Sequence, residues 1–148
     1  MNLGWEPDDI VAVVDELHAA LGEPALVAVD RALARTAMAF GQTLNERDRA
    51  RVSPKQFVRH FTDDPSEHCT VLEASETRSV LRTTRCRIAD AFRALGRCEI
   101  GYRFKCSQDF CIARGYDPSM TLRISKCLMT GDSVCIHEYE KQETQGVL

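Results

Sequence analysis

The sequence predicts an α+β fold, with an N-terminal helical hairpin packed on a mainly antiparallel sheet and one intervening helix. Three observations predict it. Apolar residues recur at steps of three and four up to Phe40. Alternating segments follow from Cys69 onward. Turn-forming residues join most of those segments as hairpins. The chain has 148 residues, a net charge of −3 and 44% apolar residues. That balance suits one domain over residues 1–148 with one sizeable core.

The stretch "GWEPDDIVAVVDELHAALG" reads as the first helix. Asp8 or Asp9 suits its start, because carboxylates favour the positive end of a helix. Ile10, Val13, Val14, Leu17 and Leu21 form its apolar stripe, and Gly22 ends it. A second helix starts after Pro24, with Leu26, Val29, Leu33, Ala37 and Phe40 in step. Its alanines allow close approach of a neighbour, and Gly41 marks its expected end. From Thr43 to Pro65 the sequence predicts a short helix, a break at Pro54, another short helix and a loop. His18, His60 and His68 read as surface histidines.

"CTVLEASETRSVLRTTRC" predicts two strands around a turn near Ser75 and Glu76. "IADAFRALG" is the intervening helix. "CEIGYRFKCS" alternates and predicts a strand, with Cys98, Ile100, Tyr102, Phe104 and Cys106 on one face. "QDFCIARGYDPS" connects it to the strand "MTLRISKC", and "SVCIHEY" returns. The polar tail "KQETQGVL" is expected to fray.

Composition narrows the function classes. The arginines are interspersed with acidic residues, so no nucleic-acid footprint stands out, although Arg78, Arg82, Arg85 and Arg87 could face a small anion. Apolar runs are too short to span a membrane, and the N-terminus lacks the pattern of a signal peptide. These features predict a cytoplasmic protein with reduced thiols, so the seven cysteines need an account other than disulfides.

A turn centred on Gly131 would set Cys127 opposite Cys135, with His137 opposite Ser125 on the same face. Met120, Leu122 and Ile124 would fill the core from the other face. Paired thiols of this kind admit inert packing, a disulfide, a shared metal or a nucleophile with its neighbour. As metal ligands, Cys106, Cys127 and Cys135 form the trio, with Cys86 or Cys111 as the fourth. Zinc fits four thiolates, and iron or an iron–sulfur cluster draws on the same donors. As a catalytic group, a Cys106 thiolate would need a positive partner such as Arg123, Lys126 or His137, and Asp109 could orient a base or hold a cationic substrate group. Arg82 or Arg123 would grip a substrate carboxylate with both prongs of a guanidinium.

Several of these motifs occur together in one known family. Cys86 before a short helix, Gly96, "CSQDF" from Cys106 to Phe110, Pro118, Gly131 and Cys135 resemble the L-2-amino-thiazoline-4-carboxylic acid hydrolases. "LGEPALVAVDRALARTAMAFGQ" is similar to the helical segment of that family, so the likeness runs from about Leu21 to Tyr139. It implies hydrolytic opening of a cyclic thiazoline amino acid in a small pocket around Cys106 and Asp109, with Cys106 as nucleophile or metal ligand, Asp109 as acid/base or substrate anchor and His137 as proton carrier. "KCLMTGDSVCIH" also resembles the end of the vinyl-reductase small-molecule-binding domain, which implies zinc held by cysteines. An acidic ligand of that design is replaced here by Ile124, so Cys86 or Cys111 would complete the set.

The sequence therefore predicts a small hydrolase acting on a cyclic C–N or C=N bond of a carboxylated substrate, with a cysteine-rich metal site. The alternative is a metal-stabilised module that binds a small molecule or tetrapyrrole without hydrolysing it. A small molecule is the expected partner, with a second copy of the chain or an enzyme partner beside it.

Overall fold

The computed structural model describes residues 4–142, so the end of the expected frayed tail, 143–148, lies outside the described residues. Helix α1 spans Pro7–Leu21. Its cap is Glu6 rather than Asp8 or Asp9; the Asp9 carboxylate reaches back to the Glu6 N–H at 3.2 Å and closes a capping box. Gly22, at φ 70°, turns the chain directly into α2, Glu23–Asp48. Together these two helices form the expected N-terminal hairpin.

Helix α2 does not end at Gly41. It runs on for two more turns because Gly41 is a contact point rather than a stop. A Cβ there would sit 2.8 Å from the Tyr116 backbone nitrogen and closer still to the Ile112 carbonyl oxygen. Gly115 opposes it in the same way against Met38. The absence of side chains at both positions lets two helical backbones touch. After α2, Ser53 caps the short helix α3, Pro54–Val58, which passes into a 3₁₀ turn, Arg59–Phe61.

Strands β1, Glu67–Ala74, and β2, Arg78–Cys86, form the expected hairpin. Ser75 closes its turn by accepting the Arg78 N–H at 2.9 Å. Helix α4, Arg87–Ala94, follows. The expected strand over Cys98–Cys106 is instead helical: α5, Cys98–Gly101, then one π-helical turn, Tyr102–Cys106. The expected connector is also a helix, α6, Gln108–Tyr116. Alternation misled here because the buried positions, Ile100, Gly101 and Cys106, follow helical steps with one wide turn. Gly101 leaves room for Phe92 and Met129, whose atoms would lie 2.6 Å and 2.7 Å from an added Cβ.

Strand β3, Met120–Lys126, a 3₁₀ turn, Leu128–Thr130, and β4, Cys135–Lys141, complete the fold. The sheet order is β1-β2-β4-β3, antiparallel throughout. Gly131 does take a positive φ, 106°, but the register differs from a simple symmetric hairpin. His137 pairs with Ile124 and Tyr139 with Leu122. An irregularity between Ile124 and Lys126 then shifts the ladder. This bulge reverses the side-chain parity, so buried Cys127 joins Cys135, His137 and Tyr139 on the core side rather than on a polar face.

The opposite face is charged. The Arg78 guanidinium contacts Glu73 and donates to Glu138 and Glu140, the last two at 3.0 Å. Under the inner face lie two buried clusters. One joins Val14, Phe92, Ile100 and Met129 with Cys86, Cys106, Cys127 and Cys135. The other joins Leu44, Phe57, Leu81, Tyr116 and Tyr139.

Candidate functional site

A cavity of about 280 Å³ draws its walls from both clusters. Leu81, Thr83, Cys135, His137 and Tyr139 reach it from the sheet. Lys105, Cys106, Asp109 and Ile112 reach it from the π turn and α6. The wide turn sets Lys105 and Cys106 just before α6, so Asp109 follows them by one helical turn. Phe40, His60 and Phe61 close another side. A larger depression, about 380 Å³, lies against α2 and α5–α6, but it is more open and its Asp30 and Arg103 charges pair with each other at 2.7 Å. The smaller cavity holds the convergent titratable groups.

The structure brings Asp109 and His137 together. Nε2 of His137 lies 3.1 Å from the Asp109 carboxylate. Nδ1 is buried and has no hydrogen-bond partner among the described residues. A carboxylate on one ring nitrogen sets the tautomer, leaving a lone pair on the other. Lys105 is the cavity's ammonium, 2.7 Å from Glu67 in an ion pair that lacks hydrogen-bond geometry. Burial works against the charged form of Lys105, yet the Glu67 carboxylate outweighs it and raises the pKa.

Cys106 lines the cavity. Its Sγ lies 3.8 Å from that of Cys127. A hydrogen bond to Cys127, burial and the nearby Asp109 carboxylate push the Cys106 thiol far above its usual range. Cys127 moves the other way, because the Cys106 and Cys135 thiols and the Met129 and Thr130 amides all stabilise its thiolate. Cys86 accepts from the Ala89 N–H at 3.5 Å, and Cys135 from the Leu128 N–H at 3.2 Å. Cys111 borders the open depression instead.

The 3.8 Å separation matches one edge of a tetrahedron of sulfurs about 2.3 Å from zinc. Even so, among the described residues no group of three or more His, Cys, Asp or Glu side chains is arranged to hold a metal ion. Zinc and iron thus gain no support from the arrangement of the expected ligands, and no step below runs through a metal.

Neither expected guanidinium reaches the cavity. Arg82 is exposed on the outer face of β2, and Arg123 is exposed and paired with Glu138 at 3.0 Å. Strand parity placed both away from the core. Lys105 is not evident in the sequence because Cys98–Cys106 reads as a strand, and Glu67 because it precedes the strand expected from Cys69, whereas β1 begins at Glu67 itself. The i, i+4 spacing of Lys105 and Asp109 was the available signal. His60, expected at the surface, lines the cavity.

Residues 5–139 match the family model described as L-2-amino-thiazoline-4-carboxylic acid hydrolase. The chain belongs to this family. The match takes in every element from the start of α1 to Tyr139 and includes all the cavity residues. The vinyl-reductase resemblance finds no counterpart in the comparisons. No curated protein matches the chain. Among solved structures it is similar to a mutant H-NOX protein from K. algicida in its Fe(II) unliganded form. That likeness has a TM-score of 0.49 and 9% identity, and covers 96% of this chain and 76% of the other. At that level it carries no functional argument. No helix among the described residues is long and apolar enough to cross a membrane.

Proposed function

We propose that this chain hydrolyses a ring C–N bond in a small, carboxylated, thiazoline-like substrate. The observation that carries the reading is the Asp109–His137 pair, which lines a small cavity and leaves Nδ1 without a partner among the described residues. Family membership supplies the reaction class. A base that removes a proton from water lets its oxygen bond to the ring carbon between sulfur and nitrogen. The ring C–N bond then breaks, the departing nitrogen takes up a proton, and the hydroxyl gives up its remaining proton as the C=O forms. His137 would act as the base, with Asp109 holding its ring.

Charge supports the same substrate class. Asp64, Glu67 and Asp109 face the cavity against the one ammonium of Lys105. That excess of carboxylates suits a protonated amidine-like ring, and Lys105 suits the substrate's carboxylate.

The test is to incubate the purified chain with L-2-amino-thiazoline-4-carboxylate and follow a ring-opened product about 18 Da heavier, the mass of one water. Asp109→Asn should leave the fold intact and lower kcat by about 10²- to 10⁴-fold. An amide can donate to Nε2 and force the proton onto Nδ1. A folded Asp109→Asn variant with full activity would rule out this assignment.

A further inference from the structure

A second imidazole–carboxylate pair borders the same cavity. His60 Nε2 lies 2.8 Å from the Asp48 carboxylate. That carboxylate is shielded, with 6% of its side chain exposed, and it also accepts from the buried Tyr116 hydroxyl at 2.6 Å. The His60 ring is therefore fixed from behind by α2 and α6. His60 comes from the 3₁₀ turn after α3, whereas His137 comes from β4. A cavity of about 280 Å³ is only about 8 Å across if spherical, so a ring-sized ligand within it lies near both walls.

Opening a protonated amidine-like ring with water takes both hydrogens off the oxygen. One leaves as the oxygen bonds to carbon, the ring nitrogen gains one as its bond to carbon breaks, and the remaining hydroxyl proton passes to the freed amine as the C=O forms. We propose that His60, positioned by Asp48, faces the ligand and protonates the departing ring nitrogen, while His137 takes the proton from water. This inference rests on the hydrolase reading and names a second acid–base group for it. The protons balance, because the one removed at His137 equals the one supplied at His60, the hydroxyl proton leaves on the released ammonium, and exchange with solvent restores both histidines. Asp48 and Tyr116 touch His60 directly or through that carboxylate. Asp64, Glu67, Lys105 and Asp109 are the charged groups that share its cavity.

A purely structural role is the competing account, since the pair also ties α2 to the 3₁₀ turn. His60→Gln separates the two. A glutamine amide still donates to Asp48 but carries no transferable proton near neutral pH. The expected result is a fold like wild type, KM changed by less than about threefold, kcat lowered by about 10²- to 10⁴-fold, and loss of one limb of the pH–rate profile. His137→Gln should remove the opposite limb. Wild-type kcat with both limbs intact in His60→Gln overturns the proposal.

A second measurement covers a chain that proves inactive on the thiazoline. The imidazole proton resonances of His60 and His137 are followed by NMR as L-2-amino-thiazoline-4-carboxylate is added. Both should shift. A shift of His137 alone overturns the role of His60 and leaves the hydrolase reading standing. No shift of either sinks the cavity reading and this inference with it. Shifts of both without turnover would sink the hydrolase reading and the proton transfer, while keeping His60 as a ligand-facing group.

Discussion

Replacing Gly41 by Ala should destabilise the protein, although alanine is the better helix former. The propensity gain is about 1 kcal/mol. Against it stands the crossing of α2 and α6. The new Cβ would lie 2.8 Å from the Tyr116 nitrogen, 3.0 Å from the Gly115 carbonyl carbon, and closer still to the Ile112 oxygen. All three are backbone atoms, so no side chain can rotate away. The helices must separate to restore ordinary contact of about 3.5 Å. Separation loosens Leu44 and Tyr116 and strains the bond from the Asn45 amide to the Tyr116 carbonyl, now 2.6 Å. Overpacking costs about 1–3 kcal/mol when side chains can adjust, so a backbone obstacle belongs at the upper end. The net loss is about 2 kcal/mol, or about 4–8 °C in Tm for a domain of this size. Thermal and urea unfolding followed by circular dichroism would measure it. Gly115→Ala, which meets Met38, should behave alike, and the double variant should lose less than the sum because one separation relieves both clashes. A Gly41→Ala protein as stable as wild type would refute the close-crossing argument.

Other outcomes follow from the same geometry. Tyr116→Phe removes the buried donor to Asp48 and should cost about 1.5–3 kcal/mol in urea unfolding; a loss below about 0.5 kcal/mol would show that the bond contributes little. Burial opposes the charged form of Asp48, but hydrogen bonds from Tyr116 and His60 outweigh it, so its folded pKa lies below the ordinary 3.8. That contribution is present above about pH 3.8 and is lost as pH falls through the folded value, so Asp48→Asn should flatten the acid limb of the stability–pH curve. An unchanged limb would contradict the shift. The thiol-specific oxidant diamide, by taking two hydrogens, should link Cys106 to Cys127, whose sulfurs must close from 3.8 Å to about 2.05 Å. Peptide mapping should show that pair and a loss of about 2 Da; resistance to diamide together with one zinc per chain would replace the free-thiol account.

Periodicity carried the parts of the fold that depend on local pattern. Ile10, Val14 and Leu17 announce α1, because side-chain direction follows directly from backbone repeat, and the β-branched Val80, Thr83 and Thr84 after a turn announce β2. The same rule failed at Cys98–Cys106, where one π turn among short helices mimics alternation. It failed again at Cys127, because a bulge resets parity without any mark that a residue count can register.

The sequence by itself determined the α+β class, the two hairpins and the family, and it singled out Cys106, Asp109 and His137 as candidates. These follow from short-range chemistry: capping, turns, repeat periods and spaced motifs. Only the tertiary structure decided that Asp109 lies 3.1 Å from His137, that Lys105 rather than Arg82 or Arg123 supplies the cavity's cation, and that His60 shares the same space. The reason is that those contacts join residues far apart in the chain. Their distances are set by where α2 crosses α6 at Gly41 and Gly115, and by how the sheet's bulge turns its side chains.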